Sequence, residues 1–246
     1  MAESNEITLN IAYNNVAFDR KLSISWGMAC VIEGAEKVIL FDTGGDGHIL
    51  LSNMKAMGID PEEIDIVVLS HVHGDHTGGL GSFLAVNPNV ALYVPRSFPE
   101  DFKARMKAKT RRVVEVDEPV EICDQVFSTG ELGTWIKEQA LVVKTREGLV
   151  MVTGCAHPGV VLMTRRALEL FDGDMYLVTG GFHLGGASEK EIKKIIADLR
   201  EFGVKKVGPS HCTGEKAMEK FREVWGKEFV DAGCGAVIKI PNEKER

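Results

Sequence analysis

The sequence predicts an α/β fold in which two sheets are sandwiched between helices. Three observations carry that reading. Short apolar, β-branched runs alternate with stretches of helical spacing, and each half of the chain repeats the order of strands followed by helix–strand alternation. The 246 residues are 44% hydrophobic and 26% charged, an ordinary globular composition with ample apolar content for a large core. Six of the seven histidines fall at strand-to-loop junctions beside glycines, where α/β folds usually build their sites.

The elements follow in order. Residues 7–13 alternate apolar and polar side chains, as a half-buried strand does. Residues 27–33 and 37–42 form a strand pair around a turn at 34–36. Helical spacing covers 48–57 and stops at Gly58. Asp60 and Pro61 open a helical turn, and 66–69 is a short strand. A helix is expected over 78–86, a strand over 90–94 and a helix over 99–109. Two short strands lie within 113–127, and 140–145 pairs with 149–153 as a hairpin. Helices at 160–171, 188–202 and 215–225 alternate with strands at 175–179 and 205–207, and 236–240 closes as a strand. Ser188 and Glu191 form a capping box for the second of these helices. With no low-complexity linker, residues 1–246 read as a single domain.

Charge and cysteine usage exclude several classes. A net charge of −7, from 29 basic and 36 acidic side chains, argues against a nucleic-acid binder. The five cysteines, Cys30, Cys123, Cys155, Cys212 and Cys234, are odd in number and hold no Cys-x-x-Cys pair, so a reducing compartment is expected. The acidic start of the chain has no apolar leader, and no apolar run has membrane-spanning length. These features predict a soluble, cytoplasmic protein without membrane or nucleic-acid partners.

The chemistry gathers in the stretch from Val68 to Gly79. It places His71, His73, Asp75 and His76 within six residues, directly after an apolar run. In extended chain, residues two apart point the same way, so His71 and His73 can bind one cation. Asp75 and His76 lie beyond a turn at Gly74 and face a second cation. Gly78 and Gly79 are expected to let the backbone pass close to the metals and enter a helix.

The pattern His-x-His-x-Asp-His from His71 to His76 resembles the signature of the metallo-β-lactamase fold superfamily. The resemblance implies a four-layer αββα sandwich with one or two metals at one edge of the sheets, used mostly for hydrolysis. Three further motifs, Thr153-Gly154-Cys155-Ala156-His157-Pro158-Gly159, Gly180-Gly181-Phe182-His183-Leu184 and Pro209-Ser210-His211-Cys212-Thr213-Gly214, are similar to one branch. That branch contains dihydropterin ribofuranosylaminobenzene phosphate synthase-like proteins and metal-dependent hydrolases.

The candidate ligand set is therefore His71, His73 and His157 for one metal, with a position left for water, and Asp75, His76 and His211 for the other. Zinc is the expected ion, with iron and manganese as alternatives. His183 is read as a general acid or substrate contact against a structural hydrogen-bonding role. Asp42, in Phe41-Asp42-Thr43-Gly44, resembles the family's first motif and is expected to orient a ligand. Most members carry Thr-Gly-Asp where this chain has Thr153-Gly154-Cys155, and residues 110–150 hold no match to the family's separate His-x-x-Gly-His motif. Either His157 replaces that histidine, or the first metal has only two histidine ligands and His157 contacts substrate or a ligand. Cys155 is either a thiolate ligand or, as preferred here, a small packing residue outside the ligand set.

Lys103, Arg105, Lys107, Lys109, Arg111 and Arg112 form a basic stretch, with Phe102 and Met106 as inward anchors. It reads either as a solvated helix face or as a cap that attracts a phosphate or carboxylate. Three functions follow from the whole. The leading one is a metal-dependent hydrolase in which Asp75 and His183 act on an ester-type small molecule: a phosphoester, thioester or lactone. The others are a methanopterin-type synthase using a pterin and a phosphoribosyl donor, and a metal-stabilised binding protein without turnover.

Overall fold

A computed structural model describes residues 6–242 of the chain. The acidic residues 1–5, part of the stretch read above for an export signal, lie outside the described residues. The strands in chain order are β1 (Glu6–Asn14), β2 (Met28–Glu33), β3 (Ile39–Phe41), β4 (Ile66–Val68), β5 (Ala91–Pro95), β6 (Arg112–Val116), β7 (Val120–Cys123), β8 (Val126–Ser128), β9 (Leu141–Thr145), β10 (Gly148–Thr153), β11 (Met175–Gly181), β12 (Lys206–Ser210) and β13 (Val237–Pro241). The helices are α1 (Gly47–Met57), α2 (Gly74–Thr77), α3 (Leu80–Val86), α4 (Glu100–Lys107), α5 (Val160–Leu170), α6 (Glu189–Glu201) and α7 (Glu215–Trp225).

One sheet has the order β13-β1-β2-β3-β4-β5-β6 and the other β12-β11-β10-β9-β8-β7. Side-chain alternation explains the layering. In β2, Cys30 and Ile32 face the second sheet, while Ala29 and Val31 face the helices. In β10, Val150 and Val152 enter the space between the sheets, while Leu149 and Met151 pack under the other helices. One core thus lies between the sheets, built on Leu9, Phe41 and Val68 from one side and Val143, Val152 and Leu177 from the other. A second packs Leu50, Met54 and Phe83 of α1 and α3 onto the first sheet. A third packs Met163, Ile196 and Phe221 of α5, α6 and α7 onto the second. The result is the expected four-layer αββα sandwich.

The parallel strands decide where a site forms. β3, β4 and β5 run parallel, as do β10, β11 and β12, so their carboxyl ends and following loops gather at one edge. Four of the five non-glycine residues with left-handed backbone, among the described residues, stand at those ends: Asp42, Ala156, His183 and His211. Such conformations cost of order 1–3 kcal/mol each and persist only where surrounding contacts enforce them.

Several sequence expectations need correction. The helix expected at 78–86 begins at Leu80, and a separate short helix, α2, already starts at Gly74. Gly78 and Gly79 have a packing reason to be glycine. A Cβ on Gly79 would stand 2.1 Å from the Thr43 carbonyl oxygen, so the glycine lets this loop pack on the loop after β3. The region 113–127 contains parts of three strands rather than two, because Gln125, at φ 67°, reverses the chain between β7 and β8. Among the described residues, no helix is long and apolar enough to cross a membrane.

Leu177 is fully buried between the sheets. Leu177→Ala should lower unfolding free energy by about 2–5 kcal/mol, read from the urea midpoint at unchanged m-value. A loss under ~1 kcal/mol would show that the inter-sheet core does not carry the stability assigned to it.

Candidate metal centre

β4 ends at Val68, and the chain continues through Ser70 and His71 to His73, whose extended backbone precedes α2. His71 Nε2 comes within 3.1 Å of His73 Nδ1. The loop after β10 brings in His157, whose ring centroid lies 4.8 Å from His71 and 4.9 Å from His73. His157 Nε2 is buried and has no hydrogen-bond partner. The ligand atoms of His71, His73 and His157 all lie within 4.8 Å of one another.

Asp75 and His76 on α2 meet His211, which follows β12. His76 Nε2 stands 3.2 Å from His211 Nε2, and Asp75 Oδ2 lies 3.5 Å from the first and 3.3 Å from the second. Cys155 Sγ joins them, 3.2 Å from His76 Nε2. The two groups adjoin, with the His71 and His76 rings 4.2 Å apart. The six ligand candidates read from sequence are therefore brought together as two sets of three. Cys155, preferred above as a packing residue, places its sulfur among the second set.

The hydrogen bonds behind these rings fix where their lone pairs point. His76 Nδ1 donates to Asp42 Oδ2 at 2.7 Å, so its Nε2 offers a lone pair to the site. His211 Nδ1 donates to Asn15 Oδ1 at 2.6 Å, and Asn15 Nδ2 donates to the His211 carbonyl at 3.1 Å, which fixes the amide orientation. Two lone pairs thus face each other across 3.2 Å beside a carboxylate and a sulfur. His71 follows the same logic at one remove. Its Nδ1 donates to Ser70 Oγ at 2.9 Å, and Ser70 Oγ donates to Asp42 Oδ2 at 2.7 Å. Asp42 also accepts from Ser70 N at 2.7 Å. Lone pairs converging in this way, with an orphaned His157 Nε2 beside them, repel unless a cation lies between them. The residues fit divalent metal ions, and both groups could hold one.

Proton affinities agree with that charge pattern. Burial, then repulsion from His76, His157 and the other rings, pushes His71 far below the ordinary histidine range. Burial and the neighbouring His183 bring His157 down to about 4. Burial opposes a charge on Asp75, but the His211 and His76 rings beside it outweigh this and bring it to about 2. Burial also opposes a charge on His76, yet the Asp42 carboxylate outweighs it and raises the ring's affinity for a proton, which is itself a cation.

Sequence reasoning missed Glu138. It is fully buried ahead of β9, and its carboxylate accepts from Gly154 N (3.1 Å), Cys155 N (2.8 Å), Ala156 N (2.9 Å) and His157 N (2.9 Å). It therefore shapes the loop that presents Cys155 and His157. Burial raises its pKa to about 7 against the pull of the His157, Ala156 and Cys155 N–H groups and of the nearby His76 ring. Ser70, Asn15 and Cys212 were also missed. Cys212 lies with His183 and Cys155 in a third group of ligand-type atoms. Its contact with Cys155 and its bond to His183 lower its pKa against the effect of burial, and the same bond raises His183. His183 itself is exposed, its ring 4.3 Å from that of His157, and it belongs to neither of the two main sets.

A cavity of about 640 Å³ opens over His73, His157 and His183, walled by Trp135, Pro158 and Leu162. None of the basic residues between 103 and 112 lines it. Lys103 is buried and paired with Glu100 and Glu115, Lys107 is paired with Glu115, and Arg105 with Asp101. Lys103 and Lys107 thus tie α4 to Glu115 of β6, and Arg105 pairs within α4, so these charges do not cap the cleft.

The metallo-beta-lactamase superfamily profile matches residues 27–165, which include His71 to His76 and His157. The chain belongs to this superfamily. Over 87% of its length it is 32% identical to 7,8-dihydropterin-6-methyl-4-(beta-D-ribofuranosyl)-aminobenzene-5'-phosphate synthase of Methanocaldococcus jannaschii, covering 90% of that protein. The crystal structure of Tm1679, a metal-dependent hydrolase of the beta-lactamase superfamily, superposes with a TM-score of 0.81 at 25% identity, covering 96% of this chain and 99% of that one. The metallo-beta-lactamase fold protein YhfI from Bacillus subtilis shares the fold, at TM-score 0.70 and 16% identity over 94% of this chain and 99% of its own. The superfamily and branch resemblance drawn from the motifs therefore holds.

If Asp42 sets both tautomers, Asp42→Asn should weaken zinc binding about 10–100-fold, measured by competition with a chromogenic chelator. An amide would present an N–H to His76 Nδ1 and turn the proton to Nε2. Unaltered zinc affinity in a folded Asp42→Asn protein would disprove that role.

Proposed function

We propose that this member of the superfamily is a metal-dependent hydrolase with a dinuclear centre. The observation that carries the reading is the pair of lone-pair clusters whose tautomers are set by Asp42 and Asn15. His71, His73 and His157 would hold one ion; Asp75, His76 and His211, with the Cys155 sulfur, the other. The nitrogen, sulfur and carboxylate donors suit zinc, with iron or manganese as alternatives. Bound there, divalent ions supply a Lewis acid and lower the pKa of water toward neutrality.

The chain's own groups do the rest. Asp75, held ionised, orients the attacking water and accepts its proton. His183, exposed at the cleft with its proton affinity raised, delivers a proton to the leaving group. Glu138 keeps His157 in place through the backbone. The electrophile gains the water oxygen and loses its bond to the leaving group. The substrate is an ester-type small molecule: a phosphoester, thioester or lactone. The core shared by both sheets supports reading residues 1–246 as one domain, and five free, buried cysteines support a cytoplasmic location.

A second reading is favoured by the 32% identity to the M. jannaschii synthase. In it the same centre transfers a group between a pterin and a phosphorylated ribosyl compound instead of adding water. Product analysis in ¹⁸O-labelled water separates the two, since only hydrolysis places the label in the product.

Purified protein should carry two metal equivalents, and removing them with a chelator should abolish turnover that zinc, iron or manganese restores. Activity that survives complete metal removal would end the proposal. His183→Gln should lower kcat by roughly 10²-fold or more with little change in KM, while metal content stays at two. An unchanged kcat would remove His183 from the mechanism.

A further inference from the structure

The chain has three tryptophans. Trp225 is buried against Phe221. The other two are bare, and both stand at the candidate centre. Trp26, 58% exposed, lies with its ring 5.0 Å from His211. Trp135, 94% exposed, forms the wall of the cleft over His73, His157 and His183. An indole left in water is unusual, because it forfeits one of the largest apolar burials a side chain can make.

Trp135 is not on a free end. It sits in a tongue, residues 132–138, whose base is closed by Leu132 N donating to Glu138 O at 2.9 Å and Glu138 N donating to Leu132 O at 3.0 Å. Lys137 and Glu131 pair across the base at 2.8 Å. Gln139, the next residue, is tied to the chain after β4 through the Ser70 and Leu69 carbonyls. The Glu138 that closes the tongue also holds the His157 loop, so the indole and the imidazoles are fixed to one anchor.

The lining of this cleft has one chemical character. It contains no Lys, Arg, Asp or Glu. Pro158 and Leu162, the latter 48% exposed on α5, line the same cleft as Trp135. The polar groups of the cleft are the three imidazoles and the Thr134 hydroxyl. The remaining lining offers a flat apolar ring an indole together with aliphatic carbon from Ile136, Pro158 and Leu162.

We propose that the cleft is a ring subsite. It takes a planar, uncharged aromatic or heteroaromatic ring of the substrate, stacked on Trp135 against Pro158 and Leu162, with the reacting bond directed at His73, His157 and His183. The orientation of that bond rests on the reading of the histidine cluster as the catalytic centre; recognition of the ring does not. Trp135 is then the residue that selects flat substrates.

The test uses two neutral probes that share a carboxamide and differ in flatness: 2-naphthamide and its saturated analogue, decahydronaphthalene-2-carboxamide. Binding to the full-length, zinc-loaded protein is measured by isothermal titration calorimetry. The naphthamide should bind at least about fivefold more tightly. Trp135→Ala should bring the two affinities within about twofold, Trp135→Phe should keep most of the preference, and Trp26→Ala should leave it intact. Both tryptophans are exposed, so the variants should fold, which circular dichroism checks. Equal affinities in the wild type, no naphthamide binding up to its solubility limit, or a preference that survives Trp135→Ala would overturn the proposal. A loss that follows Trp26 instead would overturn it as well. Because the readout is binding without turnover, a protein that prefers the flat probe but lacks metal or hydrolysis would defeat only the functional reading. A metalloenzyme with no preference would defeat only the ring subsite.

Discussion

A single buried carboxylate, Asp42, reaches both halves of the candidate centre. Directly, it accepts a hydrogen bond from His76 Nδ1; through Ser70 Oγ, which accepts from His71 Nδ1 and donates to Asp42, it reaches the second ring. One imidazole from each set is thereby made to present a lone pair. A carboxylate at this depth is unfavourable in isolation, and its stability depends on the N–H and O–H groups turned toward it. Those groups exist only because β3 and β4 run parallel and deliver Asp42 and Ser70 to the same edge. The chemistry of the site thus depends on a strand pairing two residues upstream of it.

Glu138 does for the backbone what Asp42 does for the rings. Four successive N–H groups converge on its carboxylate, an arrangement that bends the chain into an anion-holding concavity and leaves Ala156 in left-handed backbone. The unfavourable φ of Ala156 is offset by the hydrogen bonds that the Glu138 carboxylate accepts. The His157 and Cys155 side chains inherit their positions from this bend. Their placement is a backbone property first and a side-chain property second.

How much of this was legible in the sequence follows from distance along the chain. His71, His73, Asp75 and His76 sit within one loop, and their spacing alone announces a metal site. The strands were readable because β-branched runs alternate or cluster with period two, as in residues 149–153. Glu138, Asn15 and Cys212 were not readable, since each acts on a partner from another segment: His211 is 196 residues from Asn15. An acidic residue next to a buried strand gives no local sign that four distant N–H groups will surround it. The basic stretch was ambiguous for a related reason. Glu115, which takes up Lys103 and Lys107, belongs to the neighbouring strand, and buried Lys103 looks from sequence like a surface lysine. The tongue around Trp135 has neither periodicity, and its importance lies in what stands opposite it.

Each set of ligands draws on both sheets: His71 and His73 come from the first and His157 from the second, as Asp75 and His76 come from the first and His211 from the second. Neither set can be completed by one half of the chain alone. An ion held there is a clasp on the open edge of the sandwich, and its binding energy becomes available only when the two sheets have docked in register. Metal uptake would then be a late event in the maturation of the protein, and a chain holding its full complement would, by that fact, have passed inspection of its tertiary structure.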